Sequence, residues 1–135
     1  MREIKFRSWN GKWMQRFDFS RRNVHRNLNK GYPIMQFTGL KDKNDKEIYE
    51  GDVVRLTAEG TYYNSPDKYE ECNVDKTYIG EVVIIASKGA CLKRPSYTDN
   101  ITGDKDKSDQ YINVVQYRSE VIGNIYENPE LLKCD

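Results

Sequence analysis

This chain of 135 residues is poor in the side chains that build metal centres and nucleophilic sites. It has one histidine, His25, and three widely spaced cysteines, Cys72, Cys91 and Cys134, with no CxxC pair. A structural zinc site needs about four clustered nitrogen or sulfur ligands, so no metal site and no cofactor is expected. The odd, scattered cysteines read as free thiols in a reducing compartment. Long apolar runs are also lacking: the longest wholly apolar stretch is residues 82–86, too short to cross a bilayer. Met1 is followed at once by Arg2, Glu3 and Lys5, without the apolar core of a signal peptide. These features predict a cytoplasmic protein with no membrane partner. Catalytic signatures are missing too. There is no GxSxG elbow and no phosphate-binding loop, and His25 sits in an arginine-rich segment with no acid beside it. Acid pairs such as Glu70-Glu71 are explained by a solvated face. No catalytic residue is assigned, and the chain is read as non-enzymatic.

What is abundant is charge, at 32% of residues, and tyrosine, with ten. Tyrosine favours half-buried sheet positions, which points to β structure. The length suits one domain. The net charge of +1 conceals an asymmetry. Residues 1–30 hold nine Lys or Arg and two acids, a net +7; the remainder holds 13 and 19, a net −6. A basic front and an acidic body attract one another, or attract different partners.

The start, "IKFRSWNGKWMQRF", reads as a hairpin, with Asn10-Gly11 as a two-residue turn. That register sets Phe6 opposite Gln15 and Ser8 opposite Trp13. Alternation then places Ile4, Phe6, Ser8, Trp13, Gln15 and Phe17 on one face and Lys5, Arg7, Trp9, Lys12, Met14 and Arg16 on the other. A short helix is expected over residues 20–28, closed by Gly31 and Pro33. "IMQFTGL" and "IYEGDVVRL" read as strands around a polar turn, "KDKNDKE". A calcium loop does not fit that turn, since Lys46 and Val53 fall where acidic ligands are needed. Gly51 is expected to permit a bend and Asp52 to bond a local amide. Residues 57–78 read as a long acidic connection with strand pieces around Tyr62 and Tyr78. "GEVVIIASKGACLK" reads as a hairpin turning at Ser87-Lys88-Gly89, with residues 82–85 deep in the sheet. Residues 94–109 read as a polar loop, residues 110–127 as one or two last strands, and "NPELL" as a helix start capped by Asn128. Seven or eight short strands with little helix suggest a small barrel or sandwich.

Three segments, "IKFRSW", "MQFTGLKDKNDKEIYEGDVV" and "EVIGNIYENPELL", with "GEVV" at residues 80–83, resemble the YopX family of phage and prophage proteins. Asp45 departs from the glycine usual in the family's turn. The resemblance implies a mainly β fold: a small SH3-like β-barrel over residues 35–135, preceded by a basic N-terminal hairpin and connecting segment, 1–34. It also implies a phage accessory role, assembly through the N-terminal segment and no transferable catalytic residue.

Two functions are weighed on the first hairpin. Its apolar residues Ile4, Phe6, Trp13 and Phe17 suit a homo-oligomer interface, through which the chain would act as an interaction module for a host or phage protein. Its cations Lys5, Arg7, Lys12 and Arg16, with Trp9 and the following Arg21, Arg22 and Arg26, suit nucleic acid, where bases stack and phosphates pair. Self-assembly is preferred because it also uses the apolar face.

Overall fold

The computed structural model describes residues 4–17, 30–65 and 68–133. The helix expected over residues 20–28 lies outside the described residues. Ten strands follow in order: β1 Phe6–Trp9, β2 Met14–Phe17, β3 Ile34–Lys41, β4 Glu47–Tyr49, β5 Asp52–Ser65, β6 Lys68–Ile85, β7 Gly89–Asp99, β8 Lys105–Lys107, β9 Ile112–Asn113 and β10 Ser119–Asn124. Two single-turn 3-10 helices, Gln116–Arg118 and Pro129–Leu132, complete the described elements. The fold is mainly β, and its larger sheet curls into a half-barrel. Among the described residues no helix is long and apolar enough to cross a membrane.

The strands form two sheets. The smaller has the order β2-β1-β3-β4, so the first hairpin is built into it through β1 and β3. The larger has the order β10-β5-β6-β7-β8, with β9 also on β7. Only Glu50 and Gly51 separate β4 in one sheet from β5 in the other. Gly51 has φ +83°, and a Cβ there would stand 3.0 Å from Met35 Sδ. Glycine alone meets both demands without strain. Its N–H donates to the Val82 carbonyl at 3.0 Å, and its carbonyl accepts from Ile125 N–H at 2.9 Å. The bend expected at Gly51 is therefore the joint between the sheets.

Several expectations need correction. The first hairpin is present, but with Phe6 opposite Phe17, Ser8 opposite Gln15 and Trp9 opposite Met14. Residues 10–13 form a four-residue loop in which Asn10 Oδ1 accepts from the amides of Lys12 (2.8 Å) and Trp13 (2.9 Å). This side-chain turn replaces the two-residue turn. The register moves by two, so the strand residues keep their faces, while Lys12 and Trp13 leave the ladder. The acidic connection is instead a ribbon: β5 and β6 pair from Val53↔Glu81 out to Ser65↔Lys68. Most of the polar loop at 94–109 is likewise strand, with Ser96↔Lys107 and Thr98↔Lys105 paired. Polar composition hid these strands because β5–β6 and β7–β8 are held by backbone pairing, which composition does not reveal. "NPELL" forms a single 3-10 turn. Asn128 makes no cap to it, and its Oδ1 instead accepts from Asn124 N–H at 3.4 Å.

The core lies inside the curl. Ile48, Val54, Leu56, Val82 and Leu92 are buried together, with Leu40, Tyr78, Ile112 and Val121 packed around them. Of the apolar run expected deep in the sheet, Val82 is fully buried and residues 83–85 are half-buried. Cys91 is a free, buried thiol whose Sγ lies 3.3 Å from Asn113 Oδ1. The Cys72 side chain and Cys134 lie outside the described residues. Leu92, wholly enclosed, gives a direct test of this core: Leu92→Ala should destabilise the fold by about 2–5 kcal/mol, read as a lower urea midpoint with an unchanged slope.

Candidate functional site

Two of the residues singled out in the sequence, Arg7 and Asp52, meet at the joint. Arg7 projects from β1 into it and is 8% exposed. Its Nη2 donates to Asp52 Oδ1 at 2.7 Å and to the Glu50 carbonyl at 3.2 Å. Its guanidinium also lies 4.8 Å from the centre of the Tyr49 ring. Asp52 Oδ2 accepts from Tyr49 N–H at 2.8 Å, the local amide bond expected of that residue. Burial holds the Asp52 carboxyl above its ordinary pKa, against the pull of Arg7 and the Tyr49 amide. The pair is thus a buried one whose partners depend on each other, since either charge left alone would be costly.

A second ion cluster sits beside it. Lys5 donates to Glu47, and Arg16 lies 4.0 Å from the same carboxylate. The Lys5 hydrogen bond holds Glu47 below its ordinary pKa. Lys5 also stands over the Phe37 ring at 5.3 Å, and Arg16 over Tyr49 at 6.0 Å. Trp9, on the same side of the hairpin, stacks on Tyr126 with centroids 5.9 Å apart. The face read as a basic surface therefore turns three of its cations and its tryptophan toward the protein's own acids and rings. Lys12 remains exposed in the loop. Arg21, Arg22 and Arg26 lie outside the described residues.

The other face is only partly covered. Phe6 and Phe17 stack at 5.8 Å and are half-buried, and Ser8 is fully buried. Ile4 and Trp13 are 60% and 57% exposed. Among the described residues β2 is the edge of its sheet.

The charged turn "KDKNDKE" holds more than water. Asp42 is buried, with Oδ1 accepting from the amides of Asn44 and Lys46, each at 2.9 Å. Its Oδ2 accepts from Val121 N–H of β10, also at 2.9 Å. Burial alone would raise the Asp42 pKa, but the amides of Val121, Lys46 and Asn44 outweigh it and the net shift is downward. Asp45 takes the left-handed conformation, φ 66°, which aspartate tolerates in turns. Spacing could identify the turn, but the bond from Asp42 to a strand 79 positions away had no signal in the sequence. The Arg7–Asp52 bond was equally hidden, although the opposite charges of the two segments hinted at it.

The C-terminal motif closes the group. Asn124 Oδ1 accepts from the amides of Tyr126 and Glu127, at 3.0 and 2.9 Å. Gly123 has no room for a Cβ, which would fall 2.5 Å from Asn128 Oδ1. The three quoted segments are thus parts of one assembly: Arg7 and Trp9 from the first, Asp42, Gly51 and Asp52 from the second, Val121 and Tyr126 from the third.

Two outcomes follow. Arg7→Ala strands Asp52 and should cost about 3–5 kcal/mol of stability, and Arg7→Lys should rescue it poorly because the planar fork also serves the Glu50 carbonyl and the Tyr49 ring; chemical denaturation reads both. Asp42→Ala should destabilise the fold at neutral pH by about 1–3 kcal/mol. Because Asp42 titrates lower in the fold than in the unfolded chain, its contribution is present above the ordinary carboxylate pKa and fades as pH falls through the folded value. The difference from the parent protein should therefore shrink in melts below about pH 4.

Comparison with known proteins places the assembly in a family. The chain is similar over 97% of its length, and over 99% of the other's, to protein EF1440 from Enterococcus faecalis, a crystal structure, with 25% identity and a TM-score of 0.48. No curated protein matches it. The sequence profile described as YopX protein matches residues 11–133, nearly the whole chain, and the protein belongs to the YopX family.

Proposed function

We propose that this protein is a non-enzymatic, phage-type accessory protein of the host cytoplasm, a small SH3-like barrel that self-assembles through its N-terminal hairpin and thereby presents an interaction surface to a host or phage protein. The observation that carries the reading is the unequal treatment of the hairpin's two faces. On one, Lys5, Arg7 and Arg16 are paired with Glu47 and Asp52 of the same chain. On the other, Phe6 and Phe17 are only half-buried, and Ile4 just before β1 and Trp13 in the loop stay exposed near β2, the edge of its sheet among the described residues. Exposed strand edges are templates for pairing with another chain, and a second copy offers the same edge for a symmetric contact. Apolar burial would hold such a contact at about 25 cal/mol per Å², less the cost of association.

The same observation weighs against nucleic acid as the ligand of this hairpin. A phosphate competing for Arg7 would have to displace a buried carboxylate.

Light scattering on the full chain tests assembly. The parent protein should run above monomer mass at micromolar concentration, and Ile4→Glu with Trp13→Glu should return it to monomer mass with an unchanged circular dichroism spectrum. A monomeric parent protein overturns the proposal.

A further inference from the structure

A second basic surface shares no residue with the hairpin. Two depressions, of about 470 and 260 Å³, adjoin on the sheet and share Ile79, Ser96 and Lys107. Their lining also includes Lys93, Arg94, Lys105 and Lys133 against two acids, Glu81 and Asp106. The 3-10 turn Pro129–Leu132 supplies one wall through Leu131 and Leu132. Elsewhere among the described residues, Lys5, Arg7, Arg16, Lys41, Lys43 and Arg55 each lie within 4.0 Å of a carboxylate, while the unpaired cations such as Lys12, Lys46 and Lys88 are scattered rather than gathered in one depression. None of the five cations of the groove has such a partner among the described residues, and all five are exposed.

The backbone beneath them is strained. Ile79 pairs with Ser96 and Glu81 with Lys93, so Arg94 and Pro95 together oppose the single residue Gly80. This is a β-bulge, a device that re-aims side chains. Arg94 sits in it at φ 39°, a conformation that favours glycine. The bulge packs closely on Gly80, where an added Cβ would lie 2.9 Å from Pro95 Cβ, so that only glycine fits opposite it. Strain of this kind persists where a side chain is needed, and here it aims a cation into a groove already lined by four others.

We infer that this groove binds the phosphate backbone of single-stranded nucleic acid. A cationic track with apolar and aromatic surface in it, here Ile79, Leu131 and Tyr97, is the composition such strands use. Lys105 and Lys107 lie two positions apart on one strand and so share a face, about 7 Å apart along it. A duplex fits less well. The described helices are turns of three and four residues, too short to read a major groove.

The test is fluorescence anisotropy with labelled 20-nucleotide oligo(dT), its RNA counterpart and a duplex of the same length, each titrated with salt. Binding at low salt should fall with a log–log slope of about −3, as expected for four or five phosphates on a single strand. Lys105→Gln with Lys107→Gln should weaken binding at least about tenfold and flatten the slope by about 1.4. Arg94→Gly should weaken binding without lowering the urea midpoint, since glycine relieves the backbone while removing the charge. No binding at low salt overturns the inference. So does a slope unmoved by the lysine changes, a preference for duplex, or loss of binding on Lys12→Gln alone, which would move the contact to the hairpin. Binding to an acidic peptide or to anionic vesicles with none to oligonucleotide also overturns it.

Discussion

The contact between Arg7 and Asp52 crosses from the first strand of one sheet to the first residue of the main strand of the other. Much of the fold is arranged around that crossing. Asp52 can reach Arg7 because Gly51 bends the chain, and Gly51 is held because its amide and carbonyl bond to β6 and to Ile125. Tyr49 is fully buried under the guanidinium, and its own amide returns to Asp52. Apolar packing supplies most of the stability of any small domain, but it is indifferent to which sheet lies where. A buried charge is not indifferent, because only one geometry satisfies it. The relative placement of the two sheets is specified by polar bonds laid over an ordinary aliphatic core.

Much of the β architecture could be read from residue patterns. Alternation and turn residues located β1, β2, β3 and the start of β5, and glycine marked the joint. What could not be read were strands whose polar side chains give no apolar rhythm, as in the β5–β6 ribbon and at β8. Those strands follow from their neighbours: once β6 is anchored at Val82, pairing extends outward residue by residue. The hairpin register was misread for a related reason. Asn-Gly favours a two-residue turn, but Asn10 instead uses its side chain to close a longer loop.

The candidate sites were legible to different degrees. The charge split of the chain foretold a basic front and an acidic body, and the structure brings Lys5, Arg7 and Arg16 against Glu47 and Asp52. Charge counts alone could not say that this attraction would be satisfied within one chain. The groove at Arg94 was invisible, because its cations come from the end of a hairpin strand (Lys93), from the stretch 94–109 read as a loop and from Lys133, and only strand pairing gathers them.

The Trp9–Tyr126 stack carries a last implication, for the order of synthesis. The first ribbon leaves the ribosome long before Asp52, and longer still before Tyr126. Until both have emerged it lacks the partner of Arg7 and the ring on which Trp9 rests, and a two-stranded ribbon is barely stable in water. A segment made well before its partners is thus among the last to lock, a far-reaching closure of the kind that slows folding. Throughout that interval its apolar side chains stand in water.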